Sequence, residues 1–156
     1  MEVRRARDDE VDVVAELRLA FIADHRGIDP AALDPGYADA TRAWVRARTE
    51  AGRLASWLAL DGGAPATPVG IASVVLADVP PRPDDPRALE GYVINMYVVP
   101  TARRRGVARA LLAAAEAGAG DLGVRATYLY ATPDGRHLYE DVGYAPDPTW
   151  MRRMLP

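Results

Sequence analysis

Apolar positions recur along the chain with two different spacings, which predict alternating helices and strands. Val14, Leu17 and Phe21 lie three or four residues apart and mark one face of a first helix that follows Asp8-Asp9. Runs rich in β-branched, aromatic and aliphatic residues instead indicate strands. The predicted strands cover 2–6, 54–60, 69–77, 92–99 and 126–131, and the later predicted helices cover 37–51, 107–118 and 135–142. This order predicts one mixed α/β layer structure.

Glycine, proline and aspartate mark the expected ends of these elements. Gly52 is placed to cap the second helix, in which Trp44 points inward. Pro100 ends the predicted strand 92–99. The remaining expected boundaries are Gly118 and Gly120 at the end of the third helix, Asp134 as the cap of the fourth and Gly143 at its end. The proline-rich segment 79–91 is predicted to be an exposed loop, and 144–154 to be extended.

The composition excludes several classes of chemistry. The 156 residues suffice for one domain, which we expect to span 1–156. The sequence has no cysteine and only two histidines, so we expect no disulfide, no cysteine nucleophile and no metal site. Neither of its serines, Ser56 and Ser73, stands in a Gly-x-Ser-x-Gly motif, which excludes a hydrolase of the nucleophile-elbow type.

Charge and hydropathy bear on partners and location. A net charge of −3 argues against a general binder of nucleic acid or of anionic membranes. The first residues are charged and lack the apolar core of a signal peptide, and no apolar run approaches the roughly 20 residues that span a bilayer. We therefore expect a cytoplasmic protein that binds neither nucleic acid nor membranes.

The segment between the predicted strand 92–99 and the third helix carries the clearest chemical signal. Three consecutive arginines and Gly106 precede the helix, whose N-terminal amides and dipole favour phosphate oxygens. The alternative is a solvated basic turn before an ordinary helix. All 19 basic residues are arginine, so the segment cannot be a lysine-containing nucleotide loop, and it has no Gly-x-Gly-x-x-Gly either.

Two motifs here resemble the GNAT superfamily of acyl-CoA-dependent N-acetyltransferases. Arg103-x-x-Gly106-x-Ala108 matches the superfamily signature Gln/Arg-x-x-Gly-x-Gly/Ala, and 138–144, Leu-Tyr-Glu-Asp-Val-Gly-Tyr, is similar to its Leu-Tyr-x-x-x-Gly-Phe block. The resemblance is detailed from Tyr92 to Tyr144. It implies the GNAT fold: a mixed, mostly antiparallel sheet that splays between strands four and five and is flanked by helices.

The resemblance also assigns residues to acetyl-CoA, the acyl donor. The implied binding residues are Met96, Tyr97 and Val98 for the pantetheine arm and thioester, and Arg103, Arg104, Arg105, Gly106, Val107 and Ala108 for the pyrophosphate. Unpaired groups on a strand edge need a partner, so an extended arm paired with strand four is physically sensible. Thr132 stands where many members carry an asparagine that contacts the cofactor, which puts that contact in doubt.

Tyr139 matches the general acid of the superfamily, the phenol that protonates the departing thiolate. Its alternative is a half-buried aromatic on the short helix. Strands four and five offer no carboxylate as a general base, so the amine loses its proton through ordered water or arrives neutral. Asn95 either orients that water or the substrate, or is a plain structural amide.

The resemblance implies an N-acetyltransferase acting on a primary amine by direct attack, with a small molecule favoured. The alternatives are a protein or peptide acceptor, a non-catalytic sensor of acetyl-CoA or CoA, and a site for another phosphate-bearing ligand. Relatives are often dimers, so a homodimer is possible. The acceptor pocket would be built from the first two helices and the loop before strand four. Asp24, Asp29 and Asp39 lie near this region and would make the pocket acidic, but surface acids at helix ends are common and the interpretation does not depend on them.

Overall fold

The computed structural model describes residues 1–155 and contains one five-stranded sheet in the order β1-β2-β3-β4-β5. The strands are β1 Glu2–Arg5, β2 Leu54–Leu60, β3 Pro68–Asp78, β4 Leu89–Val98 and β5 Val124–Tyr128. Neighbouring strands from β1 to β4 are antiparallel, whereas β5 lies parallel to β4. This confirms the predicted mixed, mostly antiparallel sheet.

Four α-helices flank the sheet, together with three short 3-10 turns at Asp8–Glu10, Pro30–Ala32 and Pro100–Ala102. The helices are α1 Val11–Arg26, α2 Pro35–Glu50, α3 Val107–Asp121 and α4 Arg136–Glu140. Their ends follow local chemistry: the Asp34 side chain accepts a hydrogen bond from the Tyr37 amide at the start of α2, and Gly52, with φ 65°, follows its last turn. No helix among residues 1–155 is long and apolar enough to cross a membrane.

Each face of the sheet carries its own core. On one face α3 and α4 pack against β2, β3 and β4, and the buried residues include Trp57, Leu111, Leu112 and Tyr139. On the other face α1 and α2 cover Leu58 and Ile71. The alternation of side chains along each strand supplies both cores, because successive residues point to opposite faces.

Several predicted boundaries are wrong. Helix α3 includes both Gly118 and Gly120 and ends one residue later, at Asp121. Gly118 faces the indole of Trp57, where a larger residue would not fit. Strand β4 begins at Leu89, inside the segment predicted to be a loop, and pairs there with β3. The other corrections are that β5 ends at Tyr128, that α4 covers only 136–140 with no side-chain cap from Asp134, and that 144–154 contains no strand.

Candidate active site

The site is built around a split between β4 and β5. The two strands pair from Leu89 to Tyr92 on β4, and beyond Tyr92 strand β4 continues to Val98 without β5 beside it. In the same stretch β4 has one residue more than β3 across the ladder, and Asn95 adopts a positive φ of 56°. An extra residue of this kind is a β-bulge, which bends the strand and re-aims its side chains. The predicted pantetheine residues 96–98 lie on this unpaired stretch.

An anion-binding turn follows the split edge. Within residues 1–155, no amide from Arg104 to Arg109 donates a hydrogen bond to the protein. Two residues of the turn are left-handed, Arg104 with φ 61° and Gly106 with φ 79°. Left-handed residues in a turn gather successive N–H groups into a concavity that suits an anion, and the N-terminus of α3 adds its dipole. The turn therefore offers free donors where the pyrophosphate is predicted.

The Arg103 side chain binds the protein itself. Its Nε donates to the Val98 carbonyl oxygen (2.9 Å), and its Nη2 donates to Oδ2 of Asp24 at the end of α1 (2.6 Å). The guanidinium also lies over the Tyr97 ring, 5.9 Å from its centre. These contacts tie the turn to β4 and α1, while the neighbouring Arg104 and Arg105 are exposed beside the free amides.

Tyr139 lies on α4 within the α3-side core and is 9% exposed. Its ring meets Tyr144 edge to face at 5.8 Å, and its hydroxyl makes no hydrogen bond within residues 1–155. Burial raises the pKa of the Tyr139 phenol, so it stays protonated at neutral pH. The side chain of Thr132 accepts a hydrogen bond from the Gly135 amide at the start of α4, so it supports the turn that positions Tyr139. The catalytic role of Tyr139 and the cofactor contact of Thr132 stay predictions.

Asn95 joins a buried polar chain on the α1 side of the sheet. Its Oδ1 accepts a hydrogen bond from Arg18 Nη1 (2.6 Å), and its Nδ2 donates to Ser73 Oγ (3.3 Å), which is 2.8 Å from Ser56 Oγ. Asn95 is 2% exposed. These contacts are those of a structural amide, the second of its two predicted roles. The first, orienting water or substrate, stays a prediction.

Sequence reasoning missed Arg18 and an aromatic wall at the end of β5. Tyr92 stacks on Tyr128 with ring centres 5.2 Å apart, and Tyr130 and Trp150 continue the cluster. Only the register of two parallel strands brings Tyr92 beside Tyr128. In the sequence, only the alternating tyrosines at 128 and 130 could have indicated this aromatic cluster.

The three acids expected to line the acceptor pocket all have partners. Asp24 pairs with Arg103, Asp39 pairs with Arg42 (3.2 Å), and Asp29 accepts a hydrogen bond from the Ala31 amide. Within residues 1–155 no group of three or more histidine, aspartate or glutamate side chains is arranged to hold a metal ion. The expectation of an acidic pocket therefore finds no support in these contacts.

Solved structures of acetyltransferases share this architecture. A predicted acetyltransferase from Clostridium acetobutylicum, solved with acetyl-CoA, superposes with a TM-score of 0.81 at 22% identity, covering 98% of this chain and 95% of that one. A GCN5-related N-acetyltransferase from Ralstonia eutropha JMP134 gives 0.78 at 29% identity, covering 98% and 97%. An aminoglycoside acetyltransferase from an uncultured soil metagenomic sample gives 0.73 at 19%, covering 99% and 98%. These likenesses show a shared fold.

Sequence comparison identifies the family. No protein with a curated description matches the chain. The family model described as the acetyltransferase (GNAT) family matches residues 19–144, which is most of the chain and includes the split edge, the anion-binding turn and Tyr139. The chain therefore belongs to the GNAT acetyltransferase family.

Proposed function

We propose that the protein transfers an acetyl group from acetyl-CoA to the nitrogen of a primary amine, and that the acceptor is a small molecule. The observation that carries this proposal is the unpaired edge of β4 ending beside a turn whose amides, from Arg104 to Arg109, have no acceptor within residues 1–155. An extended arm with alternating donors and acceptors suits the first feature, and a pyrophosphate suits the second. One ligand with both parts at its two ends is an acyl-CoA.

The residues at the split fit the donor as follows. Met96, Tyr97 and Val98 would align the arm and thioester along β4, and a backbone amide near Tyr97 would stabilise the oxyanion that forms on the carbonyl. Because Arg103 already binds the Val98 carbonyl oxygen, its side chain fixes the turn, and the amides bind the phosphates. Arg104 and Arg105, both exposed, add positive charge at the mouth.

The transfer is a direct attack. The amine nitrogen forms a bond to the thioester carbonyl carbon, the carbon–sulfur bond breaks, and the thiolate takes the proton of the Tyr139 hydroxyl. The amine proton passes to water and restores the Tyr139 hydroxyl. Water serves here because the unpaired stretch of β4 and strand β5 carry no carboxylate, and Glu90, earlier on β4, is paired with Arg125 (2.9 Å). Tyrosine suits the acid role because burial raises its pKa above the usual value of about 10, so the proton is present at neutral pH.

The test measures release of CoA thiol from acetyl-CoA across a panel of amines, with Tyr139→Phe as the variant. We expect Tyr139→Phe to bind acetyl-CoA like the unaltered protein and to lower kcat by roughly 100-fold, the size of a general-acid contribution. Tyr37→Phe, the same change at a half-buried tyrosine of α2 that packs against Leu19, Ala23 and Leu33 and not against the split, is the matched control and should leave kcat unchanged. Equal activity of Tyr139→Phe and the unaltered protein would remove Tyr139 from the mechanism.

Calorimetry distinguishes the alternatives. Tight binding of acetyl-CoA with no CoA release from any amine would indicate a sensor, and preferential binding of ATP would indicate a different phosphate ligand. Release with peptides alone would move the acceptor class from small molecules to proteins. The proposed function requires both acetyl-CoA binding and amine-dependent release.

A further inference from the structure

Arg18 is a half-buried cation that has no carboxylate partner in the part of the chain that the structure describes. It lies on α1 against the sheet, where Nη1 donates to Oδ1 of Asn95 at 2.6 Å. Its guanidinium also lies over Trp44 of α2, 5.7 Å from the ring centre. Within residues 1–155 no carboxylate lies within ion-pair distance of Arg18, although fourteen other arginine–carboxylate contacts are formed. Buried arginine is ordinarily paired, and this partly buried guanidinium finds no acid among residues 1–155, so it suits an anion supplied by a ligand.

Neutral groups hold this cation in place. Asn95 accepts a hydrogen bond from one of the five N–H groups of the Arg18 guanidinium. The hydrogen-bond chain continues from Asn95 to the hydroxyls of Ser73 and Ser56. The indole of Trp44 covers one face of the planar group. None of these partners cancels the charge, and most of the donors remain free for a ligand.

The position of Arg18 links it to the acceptor. Asn95 immediately precedes the residues proposed to hold the thioester, and Arg18 approaches it from the α1 side of the sheet. Arg18 therefore lies beside the opening of the split.

We propose that Arg18 binds a carboxylate of the acceptor, so that the substrate is an amino acid or a similar small molecule with both a primary amine and a carboxylate. This inference rests on the proposed function. A guanidinium can donate two parallel hydrogen bonds to one carboxylate, which fixes the position of the amine as well as adding affinity. The pairing of Asp24 with Arg103 and of Asp39 with Arg42 removes the acids that would favour polycationic amines.

The experiment compares matched acceptors that differ only in this charge. CoA release is measured at saturating acetyl-CoA with alanine and alaninamide, phenylalanine and phenylalaninamide, spermidine, an aminoglycoside and a short peptide amide. The amide of an amino acid has a less basic amine, so more of it is neutral and it reacts at least as fast without a carboxylate site. We expect kcat/KM to favour the acids by about 10- to 100-fold, the range for a hydrogen bond to a charged group.

Variants locate the effect at Arg18. Arg18→Gln should abolish the preference of acid over amide by raising KM for the acids, while KM for acetyl-CoA stays unchanged. Arg18→Lys keeps the positive charge but loses the two parallel hydrogen bonds of the guanidinium, so it should keep part of the preference for acids over amides. Arg46→Gln, the same change at an exposed arginine of α2 that pairs with Asp12, is the control and should keep all of it.

Each result decides the inference. Equal reaction of acids and amides in the unaltered protein, or an undiminished preference in Arg18→Gln, overturns it while acetyl transfer stands. The comparison of acid with amide needs no variant, so it applies even if Arg18→Gln does not fold. Failure of every amine to release CoA overturns the proposed function, and the inference with it.

Discussion

Replacing Gly106 with alanine should weaken the anion-binding turn without disturbing the core. Gly106 has φ 79°, and a Cβ added there would meet no heavy atom within 4 Å. The cost is therefore that of the left-handed backbone alone, about 1–2 kcal/mol for a residue with a Cβ. Because the added methyl group of Gly106→Ala has room, the backbone strain can be measured free of any steric clash.

That strain must appear in one of two measurable quantities. If the free protein keeps the turn, the free energy of unfolding falls by the full amount and acetyl-CoA affinity is unchanged. If the turn relaxes, unfolding is less affected and binding must restore the strained conformation. The two losses together should equal about 1–2 kcal/mol, so a fully relaxed turn would weaken binding by about 5- to 30-fold.

Gly120→Ala is the matched control. Gly120 lies inside α3, has no positive φ, and a Cβ there would also meet nothing within 4 Å. Alanine favours a helix over glycine by about 0.5–1 kcal/mol, so this variant should be more stable and bind acetyl-CoA unchanged. Denaturant unfolding and calorimetry measure both quantities. Summed losses near zero for Gly106→Ala would refute the role assigned to the left-handed turn.

Two further predictions concern stability. Gly118→Ala should destabilise the protein by about 1–3 kcal/mol by overpacking, because the new Cβ would overlap with Cζ2 of Trp57; a stability equal to that of Gly120→Ala would contradict this. Two hydrogen bonds from Arg4, each 2.7 Å, lower the pKa of Glu10 from 4.5 to about 2. This stabilisation is present above pH 4.5 and is lost as pH falls toward 2, so Glu10→Gln should flatten the acid limb of a pH–stability curve; an unchanged curve would exclude the contact.

Local patterns predicted most of the fold. The family and the mixed sheet are confirmed, and the bounds of β2, 54–60, match the prediction residue for residue. This strand is short, apolar except for Ser56, and followed by Asp61-Gly62-Gly63, so the neighbouring residues in the sequence indicate where it ends. The clearest error falls where a distant contact decides a boundary: β4 begins at Leu89, inside the proline-rich segment, where it pairs with Asp78 of β3.

The candidate site likewise has one part that local sequence predicts and one part that depends on distant contacts. The anion-binding turn is local, because its free amides follow from a glycine and a helix start within a few residues. Arg18 is 77 residues from Asn95 in the sequence and lies just outside the matched segment 19–144. That Arg18 has no carboxylate nearby among residues 1–155 can be seen only in the folded structure, and no spacing of residues in the sequence predicts it.

Asn95 connects the two halves of the site. A positive φ is rare for residues other than glycine, and asparagine is among those that tolerate it best, so its presence at the bulge is consistent with local backbone needs. The same bulge interrupts the ladder with β3, which resumes at Tyr97, and the Asn95 amide bonds to Arg18 and Ser73 there. One backbone irregularity therefore shapes the edge proposed for the donor and holds the cation proposed for the acceptor, so the two proposals together would bring both substrates to the same point of β4.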